Sequence, residues 1–521
     1  MGWLLAALSG VIAAFTYPTV FAGRMMPELG WMAFFGWVPL FLAIRSARPR
    51  AAFARSFFAG LFHYGIAMYW LYTAMNSFGG LSPVVSVLAL LLLVAVLSAY
   101  FGIIFWISQW LCRKNAWAML WVRPFVWVGI EYLRGHVPAG GFPWSQIGYS
   151  QGGFLHFIQS ADLFGVYGVT WLLVFCNEAL AEIVVRWRRG ERPRALKTAA
   201  IAAVLVLANL AYGRYRLDGD TAVPTRTLQV GVVQGNIPQE EKWQRSAAAR
   251  SLETFQGGAL ALEQRGAALI LWPEASMPYE LAYDAPEVAY DLGTQRADIL
   301  FGTISRSAQS PEPRRDRPYH NTAILADAAG RILGHYHKRH LVPFGEYVPW
   351  KDYLFFARKM TAQVGEMMPG SDYYPLKYQD SLLGVLICYE DIFPEISRIM
   401  AEKGANVLIN ITNDAWYGRS SAAYQHQVFS QFRAVETRRA LIRATNTGLT
   451  SQIDRQGRVL WQGGLFTRED FVASLPFYED LSPYVRAGDW LPRGSLALLL
   501  GLGVYSCLRK PARSSSKRES L

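Results

Sequence analysis

Charge and cysteine are both scarce in this 521-residue chain. Only 17% of residues are charged against 52% hydrophobic, a balance more apolar than that of ordinary globular proteins and one that points to a membrane. Acids are nearly missing from the two ends: residues 1–213 and 490–521 hold 7 Asp/Glu against 21 Lys/Arg, whereas residues 214–489 hold 32 against 30. The formal net charge of +12 is therefore not a basic surface spread over the molecule, which argues against a nucleic-acid partner. The excess lies between apolar spans, where it reads as membrane orientation. No basic n-region precedes the first apolar stretch, so that stretch is expected to be retained rather than cleaved as a signal peptide. No internal repeat is visible, and within the chain only the tail PARSSSKRES reads as disordered.

What is present begins with apolar segments at about 3–21, 29–45, 56–76, 84–111, 116–134, 163–186 and 197–213, and an eighth at about 492–508, each near the length a helix needs to cross a bilayer. Basic residues alternate between the connections. Arg45, Arg48, Arg50 and Arg55 follow the second span, Arg113 and Lys114 the fourth, Arg186 to Lys197 the sixth, and Arg509 to Arg518 the eighth, while the short odd-numbered connections carry only Arg24 and Arg134. By the positive-inside rule both termini are expected on the cytoplasmic side and residues 214–489 on the far side. The connection 135–160 is glycine-rich and aromatic, consistent either with a chain lying at the membrane interface or dipping back into it, or with an ordinary external loop. His63 and Glu131 fall within spans and are given no role.

From about residue 226 the pattern changes to short apolar runs such as TLQVGVVQG, AALILWPEA, ADILFGTIS, LLGVLICYE and ANVLINITN. Unbroken apolar runs are expected of strands covered on both faces, and helical stretches such as 245–265 lie between some of them. An α/β layered sandwich is predicted.

Of the four cysteines, Cys112, Cys176 and Cys507 belong to spans or their ends, and Cys388 stands alone in the α/β region. A domain on the far side of the membrane faces an oxidising compartment, where an unpaired thiol invites oxidation. Keeping it points to a chemical task, with a buried inert cysteine as the alternative. Thiol chemistry on a carbonyl needs a base and an oxyanion partner. Glu274 after LILW, and Lys338 followed by Glu346 in HKRHLVPFGEYVP, are candidates at the ends of other runs. Taken singly, a charge at a strand end is more commonly a solvated terminus. His335, His337 and His340 could be read as metal ligands, but no Cys or carboxylate stands at a recognised zinc spacing, and no metal is expected.

WPEA at 272, HKRHLVPFGEYVP at 337 and GVLICYEDIFPE at 384 together resemble the Glu-Lys-Cys triad of the nitrilase superfamily, whose fold is an αββα sandwich. Seven apolar spans before such a domain and one after it resemble the apolipoprotein N-acyltransferase family, as do GFPWSQIGYSQ at 141, NIPQEEKW at 236, NDAWYG at 413 and YVRAGDW at 484. The resemblance implies eight transmembrane helices, with a membrane domain at 1–213, a periplasmic catalytic domain at 214–489, and a last helix with a basic cytoplasmic tail at 490–521 in a bacterial inner membrane. It implies Cys388 as nucleophile, Glu274 as general base, Lys338 as the cation for the tetrahedral intermediate and Glu346 as a supporting carboxylate. Trp243, Tyr389, Glu390 and Trp416 are expected around the pocket. The partners implied are a phospholipid acyl donor, a diacylglyceryl-lipoprotein acceptor and the bilayer, with no cofactor. A membrane-tethered amidase that hydrolyses its acyl-enzyme carries the same triad, and a non-catalytic lipid-binding scaffold is the reading of a different class. The segment 348–370, with Trp350, Leu354, Phe355, Phe356, Met360, Met367 and Met368, is either an arm over the acyl chain or core packing.

Overall fold

The computed structural model describes residues 1–21, 23–112, 118–242, 244–309, 312, 318–350 and 367–508. Trp243, the 351–366 part of the expected arm and the basic tail from 509 onward lie outside the described residues.

The N-terminal part is helical: α1 (Gly2–Ala14), α2 (Val38–Ile44), α3 (Pro49–Ala67), α4 (Pro83–Leu111), α5 (Met119–Arg134), α6 (Val166–Arg188) and α7 (Arg192–Asp218). Among the described residues four helices are long and apolar enough to cross a membrane: α4, α6, α7 and a final helix at Trp490–Leu508. The segments expected at 3–21 and 29–45 are not single helices. α1 stops at Ala14, where Thr16 Oγ1 bonds back to Ala13 O at 2.7 Å, and Pro18 two residues on cannot continue a helix. The second segment is a 3₁₀ turn (Gly30–Phe34) followed by α2 with Pro39 in its first turn. Backbone freed by such a break must find partners where water is absent. Trp37 N donates to Asn177 Oδ1 and Leu40 N to Ser9 Oγ, both at 2.9 Å. α3 begins earlier than the 56 expected, taking Arg50 and Arg55 into the helix.

The rest is α/β. In chain order it comprises β1 (Arg226–Gln234), α8 (Arg245–Gln264), β2 (Leu269–Leu271), β3 (Asp298–Arg306), β4 (His320–Ala326), β5 (Ile332–His337), β6 (Leu376–Tyr378), β7 (Ser381–Ile387), α9 (Pro394–Glu402), β8 (Val407–Thr412), α10 (Ser421–Thr437), β9 (Leu441–Thr445), β10 (Ser451–Ile453), β11 (Val459–Gln462), β12 (Glu469–Phe477) and α11 (Trp490–Leu508). One sheet runs β12-β1-β2-β3-β4-β5, with Leu281–Ala282 added beside β3; the other runs β11-β10-β9-β8-β7-β6. β1-β2-β3 and β7-β8-β9 are parallel and the outer pairs antiparallel.

Alternation along the strands builds the layers. Val230, Val232, Leu269, Leu271, Leu300 and Leu325 point into a core shared with the second sheet, through Leu383, Val385 and Ile409. Their neighbours Val233, Ile270, Phe301 and Ile324 point the other way, onto Leu252, Phe255 and Leu262 of α8. A Cβ at Gly231 would lie 2.9 Å from Leu262 Cβ, so glycine lets the helix seat on β1. The result is helix, sheet, sheet, helix. The edge strand β12, in the charged stretch REDFVASLPF, was not among the expected runs; it pairs antiparallel along the whole of β1.

The connection 135–160 is neither free loop nor bare surface segment. It is the seam between the helical part and the α/β domain: Trp144 Nε1 donates to Gln425 Oε1 at 2.7 Å, Arg433 Nη2 to Tyr149 Oη at 2.9 Å and Gln159 Nε2 to Gln456 O at 2.9 Å.

Candidate active site

β7 ends at Ile387, and Cys388 opens a 3₁₀ turn, Cys388–Ile392, with φ +52°. Left-handed backbone is uncommon for a residue with a side chain and clusters at functional sites. Ala275, directly after Glu274, is a second such residue at φ +47°.

Three strand ends converge here. Lys338 follows β5 and is 1% exposed; its ammonium lies 3.0 Å from Glu346 Oε1 and 3.4 Å from Glu274 Oε1. Glu274 follows β2 through Trp272 and Pro273, and its carboxylate accepts from Asn321 Nδ2 at 2.8 Å and from the backbone N–H of Asn413 at 3.1 Å. Glu346 accepts from the same Asn321 amide at 2.9 Å and from Val342 N at 2.8 Å. Asn321 thus bridges the two carboxylates through its side chain, and its main-chain carbonyl takes the backbone N–H of Lys338 at 2.8 Å.

The electrostatics follow from burial. Cys388 is 7% exposed. Desolvation and the Glu274 charge push its thiol well above the ordinary range, with Lys338 and the Thr412 hydroxyl pulling the other way. At rest it is a thiol, and attack requires a proton acceptor. Burial also works against the Lys338 ammonium, but Glu346, Glu274 and Cys388 outweigh it and hold its pKa above that of an ordinary lysine. The cation is permanent.

Tyr389 follows the cysteine, its ring 5.1 Å from Phe393 and 5.9 Å from His340. Glu390 is fully buried and turned toward the scaffold. It accepts from the Tyr336 hydroxyl and Arg339 N at 2.9 Å, His340 N at 3.2 Å and Ile387 N at 2.9 Å, which ties the Lys338 loop to the cysteine turn. Burial pushes its carboxyl up to about 7, with the N–H groups and Lys338 drawing it back. Trp416 stands in the turn Asp414–Tyr417 with its ring 6.1 Å from Phe78 of the helical part. Of the expected arm's described residues, Met367 is buried while Trp350 and Met368 are exposed.

The His335 and His337 rings lie 4.7 Å apart and tilted, but His340 lies apart, against Phe393 at 3.8 Å. Among the described residues no group of three His, Cys, Asp or Glu has metal-binding geometry.

Sequence reasoning missed Asn321 and a buried network behind the cysteine turn. His426 bonds Asp391 at 2.7 Å through Nε2 and Asp414 at 2.8 Å through Nδ1, and Arg443 reaches the same two acids at 2.8 and 3.3 Å. Burial disfavours the imidazolium, but the two aspartates raise its pKa to about 9, so two cations balance two anions. Nothing in spacing signals this, since its members are scattered from residue 391 to 443 over four elements.

Comparison with known proteins agrees with the two-part layout. The family profile described as "Apolipoprotein N-acyltransferase N-terminal domain" matches residues 9–179, and that described as "Carbon-nitrogen hydrolase" matches residues 229–477. The chain is 35% identical to the apolipoprotein N-acyltransferase of Geobacter metallireducens, over 94% of this chain and 92% of that protein. It is 32% identical to that of Nitrosomonas europaea, over 97% of each. Among solved structures an amidase from Nesterenkonia sp. is 20% identical, covering 54% of this chain and 98% of its own, with a TM-score of 0.36. Likeness that runs through the helical part and the α/β domain alike, at such coverage, leaves one assignment: the chain belongs to the apolipoprotein N-acyltransferase family.

Proposed function

We propose that this protein moves a fatty acyl chain from a phospholipid to the α-amino group of an S-diacylglyceryl-cysteine at a lipoprotein N-terminus, through a thioester on Cys388. The observation that carries the reading is the meeting of the Cys388 turn, the Glu274 carboxylate and the Lys338 ammonium at three strand ends, in a chain of this family. Cys388 attacks the ester carbonyl as Glu274 takes the thiol proton. Lys338 and the backbone N–H of Tyr389 hold the oxyanion. The C–O bond breaks, and Glu274 returns the proton to the departing lysophospholipid. The acceptor amine then attacks the thioester and Glu274 takes its proton; the C–S bond breaks and Glu274 hands that proton to the leaving sulfur, which leaves an amide, the free thiol and the carboxylate. The cycle is ping-pong.

The membrane assignment is part of the same reading: eight spans with both termini cytoplasmic, a membrane domain at 1–213, a periplasmic domain at 214–489, and a last span and tail at 490–521. Alternating basic connections and the four long apolar helices support it. So do the seam around Trp144 and the Trp416–Phe78 contact, which keep the site beside the helical part. There a lipid donor and a lipid-anchored acceptor meet by diffusion in two dimensions, and the acyl chain never leaves hydrocarbon. Tyr389 and Trp416 flank the acyl path, Glu346 and Glu390 hold the machinery, and Trp243 is expected at the pocket.

Intact-mass analysis after incubation with phospholipid tests this. A hydroxylamine-labile acyl adduct on Cys388, transferred to an added diacylglyceryl peptide, is the expected result. An adduct on no cysteine, or free fatty acid in place of acylated peptide, overturns it.

A further inference from the structure

The segment 236–242 brings a second ammonium to the site. It is clamped across the domain: Asn236 N donates to Asn446 O at 2.9 Å, Ile237 N to Asn446 Oδ1 at 3.0 Å, and Asn413 Nδ2 to Gln239 Oε1 at 2.8 Å. The backbone N–H of the same Asn413 is the one held by the Glu274 carboxylate. At the end of the clamp Lys242 is 7% exposed, and its Nζ donates to the main-chain carbonyl of Glu274 at 2.9 Å, the ammonium's only hydrogen bond among the described residues. The turn it grips is tightly seated, because a Cβ on Gly302 would come within 2.6 Å of Glu274 Cα.

Charge counting gives this contact a purpose. With Lys338 alone the site holds two carboxylates, Glu274 and Glu346, against one cation, an imbalance that opposes any negative charge on sulfur. Lys242 offsets the second of them; Asp414, which also raises the thiol, is paired with His426 and Arg443, and Glu390 faces the scaffold. We propose that Lys242 is a positioning residue for the acyl-enzyme chemistry: it holds the Glu274 turn through the main chain, and its ammonium offsets the second carboxylate so that the Cys388 proton can leave. The proposal rests on Glu274 and Cys388 acting as base and nucleophile, as set out above.

The groups facing Lys242 are Glu274 and Cys388, with Lys338 and Glu346 beyond them. On its other side lie Ser251, Phe255, Ser276 and Asn446, which among the described residues bring no other charge, and Glu241 turns outward to Arg250 at 3.9 Å. Burial pulls the Lys242 ammonium down to about 8, with Glu274 and Cys388 drawing it back up. Lys242 therefore loses its proton in mildly alkaline solution while Lys338 keeps its own.

The test is iodoacetamide alkylation of Cys388 in the full-length protein in detergent, located by digestion and mass spectrometry, with the exposed Cys507 replaced by serine. Alkylation needs no lipid. It reads this inference even if the acyl donor is misassigned, whereas a missing acyl adduct with the alkylation result intact overturns only the proposed function. Lys242→Met is expected to slow alkylation about tenfold at neutral pH, the change one pKa unit makes in thiolate population. The ratio of parent to Met variant should fall toward one as pH rises through about 8, and Lys242→Arg should keep the parent rate and hold it to higher pH. A ratio of one at neutral pH, or one that does not change with pH, overturns the proposal. Should Lys242→Met not fold, the Arg variant decides alone, since an alkaline profile identical to the parent's also overturns it.

Discussion

Replacing Glu390 by glutamine exchanges one oxygen for an amide nitrogen at almost constant volume, in a carboxylate that faces four donors. Its Oε1 takes the Tyr336 hydroxyl and the backbone N–H groups of Arg339 and His340; its Oε2 takes Ile387 N. A glutamine that keeps its carbonyl on the three-donor side aims its NH₂ at Ile387 N, and the opposite flip strands both loop N–H groups. At least one buried donor is orphaned, at a cost of about 1–3 kcal/mol. Above pH 7, where the carboxyl is ionised, bonds to a charged acceptor also become bonds to a neutral one, and the expected loss there is about 2–4 kcal/mol. The kinetic effect follows from which residues are tied: Ile387 precedes the nucleophile and Arg339 follows the cation. A slip of about an ångström between them costs about a hundredfold in rate. Denaturant unfolding of the full-length protein in detergent reads the first figure, and single-turnover release of lysophospholipid reads the second. A variant as stable and as fast as the parent would show that the four-donor grip holds nothing of consequence.

Three further outcomes are expected. Lys338→Met leaves Glu274 and Glu346 joined by Asn321 without their shared cation; acyl-enzyme formation should fall about 10²–10³-fold and stability by about 3–5 kcal/mol, and unimpaired acylation would remove Lys338 from the oxyanion site. His426, with its folded pKa raised to about 9 from 6.5, contributes stability that is fully present below pH 6.5 and lost as pH rises through 9. The parent should therefore lose about 3 kcal/mol across that window relative to His426→Gln, and parallel stability curves would refute the imidazolium. Trp416→Ala removes the edge contact with Phe78, worth about 1 kcal/mol; an approximately fivefold rise in phospholipid KM at unchanged kcat is expected, and an unchanged KM would place Trp416 off the lipid path.

Much of the α/β domain is legible along the chain because its strands are covered on both faces. Burial on both faces demands unbroken apolar runs, and such runs announce themselves: the run beginning at Thr227 is β1 and the one ending at Cys388 is β7. The candidate chemistry is legible for a related reason. Glu274 sits where an apolar run stops at a residue too polar to continue it, Cys388 ends another apolar run, and Lys338 follows the mixed stretch GHYH. Local hydropathy also marks the long apolar helices, yet it averages over Pro18, Gly36 and Pro39, and so reads broken segments at 3–21 and 29–45 as continuous ones.

Composition and local pattern thus determined that this chain is part membrane-like helix and part layered α/β, and which side chains end its strands. Only the tertiary structure decided what surrounds them. Asn321 bridges carboxylates, Lys242 grips the Glu274 turn, Glu390 faces inward to the scaffold, and His426 stands between two aspartates. The physical reason is range. An apolar run is dictated by neighbours a few residues away, whereas a buried polar group needs partners with matching geometry that come from anywhere in the chain, as Gln239 finds Asn413 across 174 residues.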